Sequence, residues 1–92
     1  NKNRVLAFEE LFRGTINGTS VHPREIVKSA MKYNAAACIL CHNHPSGDSD
    51  PSSADQNITL RIREALNVVE VRTLDHVIVG ERPYSFVEHG LL

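Results

Sequence analysis

The chain has 92 residues, 41% of them hydrophobic and 23% charged, which is enough for one small packed domain and too little for two. Its net charge of −1 gives no basic footprint for strong binding to a phosphate backbone, and no apolar run reaches the length of a membrane span. With aromatic residues at 5% and no Trp, the core has to come from Val, Ile, Leu and Ala. The opening residues Asn1-Lys2-Asn3-Arg4 lack the apolar stretch of a secretory signal, and the chain does not start with Met; it reads as a fragment of a longer protein. Two Cys, three apart, are too few for a disulfide framework, so a reducing cytoplasm is the expected compartment.

Residues 4–12 read as a strand, with Val5-Leu6-Ala7-Phe8 apolar and two carboxylates, Glu9 and Glu10, following. Arg13-Gly14-Thr15 is a turn signal, and residues 16–21 form a second strand in an expected antiparallel hairpin. Pro23 fits the first position of a helix, with Glu25 in its first turn. That helix runs to about Tyr33, with Ile26, Val27, Ala30 and Met31 on its buried face. Residues 35–41, Ala-Ala-Ala-Cys-Ile-Leu-Cys, are continuous, small and apolar, as expected of a strand buried on both faces. A polar loop follows over 42–51, made irregular by Pro45, Gly47 and Pro51. A second helix starts near Ser52 or Ser53, with Ile58, Ile62, Ala65, Leu66 and Val69 as its buried stripe and Leu60 off it. Residues 71–79 read as a strand, closed by Gly80 and Pro83, and 84–87 as a short last strand. The order β-β-α-β-α-β-β predicts a mixed sheet flanked by helices, an α/β or α+β domain.

The chemistry concentrates in His42-x-His44-Pro45, followed by Ser52 and Asp55. At the end of an extended segment, residues two apart point to the same side, so both imidazoles can reach one point beyond the strand. Asp55 sits in the first turn of the next helix, where free amides and the helix dipole favour a carboxylate. Two neutral imidazoles and one carboxylate are a ligand set that zinc accepts, and three protein ligands leave a fourth position open for water, as in catalytic sites. Zinc lowers the pKa of its water to about 7. A base is then needed to take the water proton. Glu9 and Glu10 are the candidates, and since neighbours on a strand face opposite ways, only one of them can look at the metal. The Ser52 hydroxyl is placed to donate to an oxyanion.

Plainer readings compete. Ser52-x-x-Asp55 is also a helix capping box with Asp in place of Glu, and the two roles are compatible. Cys38-Ile39-Leu40-Cys41-His42 fits the C-x-x-C-H pattern of haem attachment. No export signal accompanies it, the two thiols point to opposite faces of a strand, and Met31 lies on a buried helix face. Buried thiols acting as small apolar side chains fit better, with Cys41 next to the site. A zinc deaminase needs His-x-Glu and a later Pro-Cys-x-x-Cys, which this chain lacks. His76 reads as a hydrogen-bonded structural residue, His22 as a loop residue before a helix, and His89 as solvated. Asp48 and Asp50 are weaker ligand candidates than Asp55. Arg24 and Glu25 are assigned no chemistry.

At its central loop the chain resembles the JAMM motif of MPN+ (JAB-domain) metalloproteases, with His42-x-His44-Pro45, Ser52 and Asp55 at the family spacing. Phe8-Glu9-Glu10-Leu11-Phe12-Arg13-Gly14-Thr15, His22-Pro23-Arg24-Glu25, His42-Asn43-His44-Pro45-Ser46-Gly47 and Leu74-Asp75-His76 narrow the resemblance to the bacterial RadC-like branch. The match covers nearly the whole chain, so residues 1–92 are expected to form a single RadC-like JAB/MPN+ domain with the cytidine-deaminase-like MPN fold. By this resemblance, His42, His44 and Asp55 are the zinc ligands, Ser52 is the oxyanion serine, and the upstream glutamate is Glu9, with Glu10 as fallback. The implied activity is zinc-dependent hydrolysis of a peptide or isopeptide bond, with a peptide or protein as partner. The branch's naming for DNA repair supplies the alternative, a DNA-binding module whose metal is structural or vestigial, which the charge does not support. A homo-oligomer is left open.

Overall fold

The computed structural model describes residues 22–43 and 50–92. The expected strands over 4–12 and 16–21 lie outside the described residues, as do Glu9, Glu10, His44 and Asp48. Within them the order is helix α1 (Pro23–Lys32), strand β1 (Ala37–Asn43), helix α2 (Ser53–Val68), strand β2 (Arg72–Val79) and the short strand β3 (Tyr84–Ser85). The sheet has the order β1-β2-β3. The β1–β2 pair is parallel and β2–β3 antiparallel, so α2 is the crossover of a β-α-β unit. This is the mixed sheet with helices that the pattern predicts, an α/β fold. No helix among the described residues is long and apolar enough to cross a membrane.

Pro23 opens α1 at a position where its missing N–H costs nothing. Both helices close in the same way. Asn34 follows α1 at φ 51° and Glu70 follows α2 at φ 62°, in the left-handed region. The next residues turn back on the helix: Ala35 N–H donates to the Ala30 carbonyl and Val71 N–H to the Leu66 carbonyl, each over 2.9 Å. These six-to-one bonds satisfy carbonyls that a helix end leaves open. They also carry Ala35 and Val71 straight into the core.

That core lies between the two helices and one face of the sheet. Ile26 and Ala30 of α1 meet Ile62 and Leu66 of α2 and Val71, with Val27, Ala35, Cys38, Leu40, Ile58 and Val69 packed around them. Two expectations need correction. Met31 is 53% exposed, because the inward face of α1 is centred on Ile26 and Ala30, and Met31 falls on its shoulder. The apolar run 35–41 does not make a strand buried on both faces. Along β1, Cys38, Leu40 and His42 are half-buried while Ile39, Cys41 and Asn43 are exposed, and Ile39 is 56% exposed. The helices cover only the face carrying Cys38 and Leu40. Strand β1 also continues through His42 and Asn43, and the last strand stops at Ser85, after which Phe86 turns inward to 1% exposure.

One irregularity in β2 sets the orientation of everything after it. Cys38 pairs with Thr73, but Ile39 pairs with Asp75, leaving Leu74 without a counterpart on β1. Such a bulge inverts the side-chain alternation beyond it. Paired in unbroken register, Asp75 would stand beside the inward Leu40 and His76 would face out. With Leu74 inserted, His76 pairs with Leu40 and Ile78 with His42, and both are buried at 3% and 0% exposure.

Asp75, turned outward by the bulge, ties down the end of the chain. Its Oδ1 accepts from the backbone N–H of His76 (2.7 Å) and of Val87 (3.0 Å), and its Oδ2 accepts from the Ser85 hydroxyl (2.6 Å). Burial pushes its carboxyl up, but the bonds from Ser85, Val87 and His76 outweigh that and hold it below its ordinary 3.8. A depressed carboxylate stabilises the fold above its unfolded pKa and loses that contribution as pH falls through the native one. Asp75→Asn is therefore expected to lower the thermal midpoint near neutral pH. The gap to the native chain should close below 3.8, in melts followed from about pH 7 to about pH 2. Leu66, fully buried at 0% exposure, is the centre of the core. Leu66→Ala should cost about 2–5 kcal/mol in urea unfolding.

Candidate metal centre

The parallel β1–β2 pair and the intervening helix bring the end of β1 and the start of α2 to the same edge of the sheet. Open α/β sheets bind their ligands at the carboxyl ends of their strands. Here that edge carries His42 from β1 and Asp55 from α2. His42 Nε2 lies 3.5 Å from Asp55 Oδ1, with side-chain exposures of 16% and 2%. Bonds of about 2.0–2.1 Å to a tetrahedral zinc ion place two ligand atoms about 3.3 Å apart. The separation found fits two ligands of one ion. Among the described residues no group of three His, Cys, Asp or Glu converges as a metal-holding set. The third expected ligand, His44, lies outside them, as do Glu9 and Glu10.

A carboxylate as deep as Asp55 is costly unless it is hydrogen-bonded. The helix start supplies the bonds. Ser52 N–H donates to Asp55 Oδ2 (2.7 Å) and Asp55 N–H donates to Ser52 Oγ (3.0 Å). This is the capping box foreseen in Ser52-x-x-Asp55, complete in both directions. It divides the labour between the carboxylate oxygens: Oδ2 holds the cap, and Oδ1 faces His42. Ser52 is exposed, and its Oγ uses a lone pair for the Asp55 amide. The hydroxyl proton is not spent on the cap, so it can donate to an oxyanion.

Behind His42 stands a buried polar chain that sequence reasoning missed. His42 Nδ1 lies 2.8 Å from His76 Nε2, and His76 Nδ1 lies 2.6 Å from Thr59 Oγ1. The Thr59 hydroxyl also lies 2.7 Å from the Asp55 carbonyl oxygen and donates to it. Thr59 and His76 are 0% and 3% exposed, and the Phe86 ring stacks on His76 at 4.5 Å and 17°. His76 is thus hydrogen-bonded, as the sequence suggested, and its burial and its partner, the candidate ligand His42, come from the structure. A signal for Thr59 did exist: it lies four residues after Asp55, on the buried stripe of α2.

The cysteines stay out of the site. Cys38 faces the core and Cys41 the exposed side of β1, so the expectation that both are buried holds for neither fully and fails for Cys41. Burial pushes both thiols up, and the charge of Asp75 adds to it for Cys41. Neither is poised as a thiolate ligand. His22 is exposed ahead of α1, as expected. His89 is exposed but engaged: its ring stacks on Tyr84 at 3.9 Å and its Nδ1 donates to the Ser85 carbonyl over 2.9 Å.

A family model described as RadC-like JAB domain matches residues 1–91. Among curated relatives, a UPF0758 protein of Thioalkalivibrio sulfidiphilus is 62% identical over 92 residues, and one of Nitrosococcus oceani is 63% identical over 93. A UPF0758 protein of Vibrio cholerae is 54% identical over 92 residues. Each alignment covers the whole chain and 41%, 42% and 58% of the respective relative. The chain thus spans about two-fifths of the length of the first two.

The capping box makes a prediction that does not depend on metal. Ser52→Ala removes the acceptor for the Asp55 amide and should cost about 0.5–2 kcal/mol in denaturant unfolding. Hydrogen exchange should quicken first at the amides of the first turn of α2.

Proposed function

The chain belongs to the RadC-like JAB domain family, and from that premise we propose that it is a zinc-dependent hydrolase that cuts an amide bond, in a peptide or an isopeptide. The observation that carries this reading is the approach of His42 Nε2 to Asp55 Oδ1, 3.5 Å apart at a strand end. His42, His44 and Asp55 are the residues to hold the ion. When bound, zinc supplies Lewis acidity that brings a water's pKa down to about 7.

The remaining roles fall to the chain's own groups. Glu9 takes the proton of the attacking water and returns it to the leaving amine nitrogen, so one carboxylate serves as base and then as acid; Glu10 is the fallback for this task. As the carbonyl carbon becomes tetrahedral, negative charge grows on its oxygen. The Ser52 hydroxyl, whose proton the cap leaves available, donates to that oxygen. A donor already held in place by a helix start has little freedom to lose as the charge develops.

The site and the chemistry can be tested separately. The native protein should carry about one zinc per chain by elemental analysis and cleave a peptide or isopeptide library. Asp55→Ala should lose the metal and the turnover together. Glu9→Gln should keep the metal and lose about 10²–10⁴-fold in rate, and Ser52→Ala about 10²–10³-fold. A native sample prepared without chelators that holds no metal overturns the proposal. Metal retention with salt-dependent DNA binding and no hydrolysis would favour a DNA-binding module instead.

A further inference from the structure

The buried chain behind His42 has a direction that can be read from its atoms. Thr59 has one hydroxyl proton. Its Oγ1 lies 2.7 Å from the Asp55 carbonyl oxygen, and a carbonyl oxygen can only accept. Without a proton between them, two acceptor oxygens at that distance would repel, so the Thr59 proton is committed there. Thr59 Oγ1 must then accept at its other contact. The donor is His76 Nδ1–H, 2.6 Å away. A neutral His76 with its proton on Nδ1 has a lone pair on Nε2. That nitrogen is 2.8 Å from His42 Nδ1, so His42 donates from Nδ1. The lone pair of the His42 ring is thereby placed on Nε2, the atom that faces Asp55 Oδ1.

We propose that His76 and Thr59 are positioning residues that hold His42 in its Nδ1–H tautomer, with Nε2 prepared to ligate the metal. This inference rests on the metal-hydrolase reading for its purpose, though the tautomers can be determined without metal. Metal-binding histidines are characteristically fixed by the partner of their other ring nitrogen. The partner here is a second imidazole, fixed in turn by a threonine whose donor is occupied by the helix carrying Asp55. The reversed chain would need Thr59 to withdraw its proton from the Asp55 carbonyl. It would also need His42 Nε2–H to face Asp55 across 3.5 Å, a long separation for a charge-assisted bond.

Several features hold the relay in place. The Leu74 bulge turns His76 inward. The Phe86 ring lies nearly parallel to the His76 ring and restrains its rotation. Burial of Thr59 at 0% exposure keeps water from replacing its hydroxyl. His42 and His76 stand diagonally across the parallel ladder, since Leu40, not His42, is the register partner of His76, and this offset lets the rings meet nitrogen to nitrogen.

The test uses the intact protein, stripped of metal, and nitrogen-15 NMR of the imidazoles. Native protein should show both His42 and His76 protonated on Nδ1 and not on Nε2. Thr59→Val keeps the shape of the side chain and removes the acceptor. His42 should then shift towards the Nε2–H form, and zinc affinity, measured by chelator competition, should fall about 10–100-fold. Thr59→Ser should restore both. An Nε2–H tautomer for His42 in native protein overturns the relay, and so does an unchanged His42 spectrum in a folded Thr59→Val. If Thr59→Val fails to fold, the native and Thr59→Ser spectra still decide, because the relay requires Nδ1–H on both rings in both proteins. Native protein with the expected tautomers and no affinity for zinc would instead remove the metal-hydrolase reading and leave the tautomer assignment standing.

Discussion

The parallel pairing of β1 with β2 is the constraint from which the rest follows. A parallel pair needs a crossover, and α2 provides it, so the chain leaves the end of β1 and begins α2 at the same edge of the sheet. His42 and Asp55 are thirteen positions apart in sequence and approach to 3.5 Å because of that connection. The same crossover lays α2 across the inner face, where Ile62 and Leu66 join Ile26 and Ala30. Core and candidate site are thus two stretches of one helix, apolar in its later turns and polar at its start.

The polar stretch is unusual in how deep it runs. Asp55, Thr59 and His76 are 1%, 0% and 3% exposed. Polar groups at that depth persist only when their hydrogen-bonding capacity is met. Here each is met by another member of the site: Asp55 by the cap, Thr59 by the Asp55 carbonyl and His76, His76 by Thr59 and His42. Replacing one member leaves its neighbour buried with an unmet donor or acceptor. The network therefore behaves as a unit, and single substitutions in it should be non-additive.

Much of this was legible in the residues. Pro23 and the Ser52-x-x-Asp55 pair fixed both helix starts because their chemistry is local: a locked φ, and two reciprocal hydrogen bonds three residues apart. The position of Leu60 off the buried stripe followed from the helical period. What stayed hidden was long-range. Residues 35–41 are uniformly apolar, so nothing in them says that one face is left uncovered and that Ile39 and Cys41 end outside. The bulge at Leu74 exists only as a mismatch between two strands, and a single strand's sequence carries no trace of it. Read with strict alternation from the buried Val71, His76 would fall on the outward face, and its partners could not be assigned. Thr59 passed unnoticed because a threonine on a buried stripe resembles a valine until its neighbours are known. The helix ends at Asn34 and Glu70 were similarly quiet, since neither is the glycine that usually marks a left-handed terminus.

The cap at Ser52 and Asp55 shows why a fold would put a ligand at a helix start. A ligating carboxylate has to be oriented, and orienting a side chain costs conformational entropy. At an ordinary surface position that cost would fall on metal binding. In α2 it is met when the helix forms, because the bond from Ser52 N–H to Oδ2 is part of the cap itself. Oδ1 is left facing His42, already oriented for an ion if the proposed site binds one. The relay through His76 and Thr59 does for the imidazole what the cap does for the carboxylate, fixing the ring and its proton through groups that the core already holds rigid. Both candidate ligands among the described residues thus take their orientation from hydrogen bonds within the folded chain, so a metal site here would be preorganised.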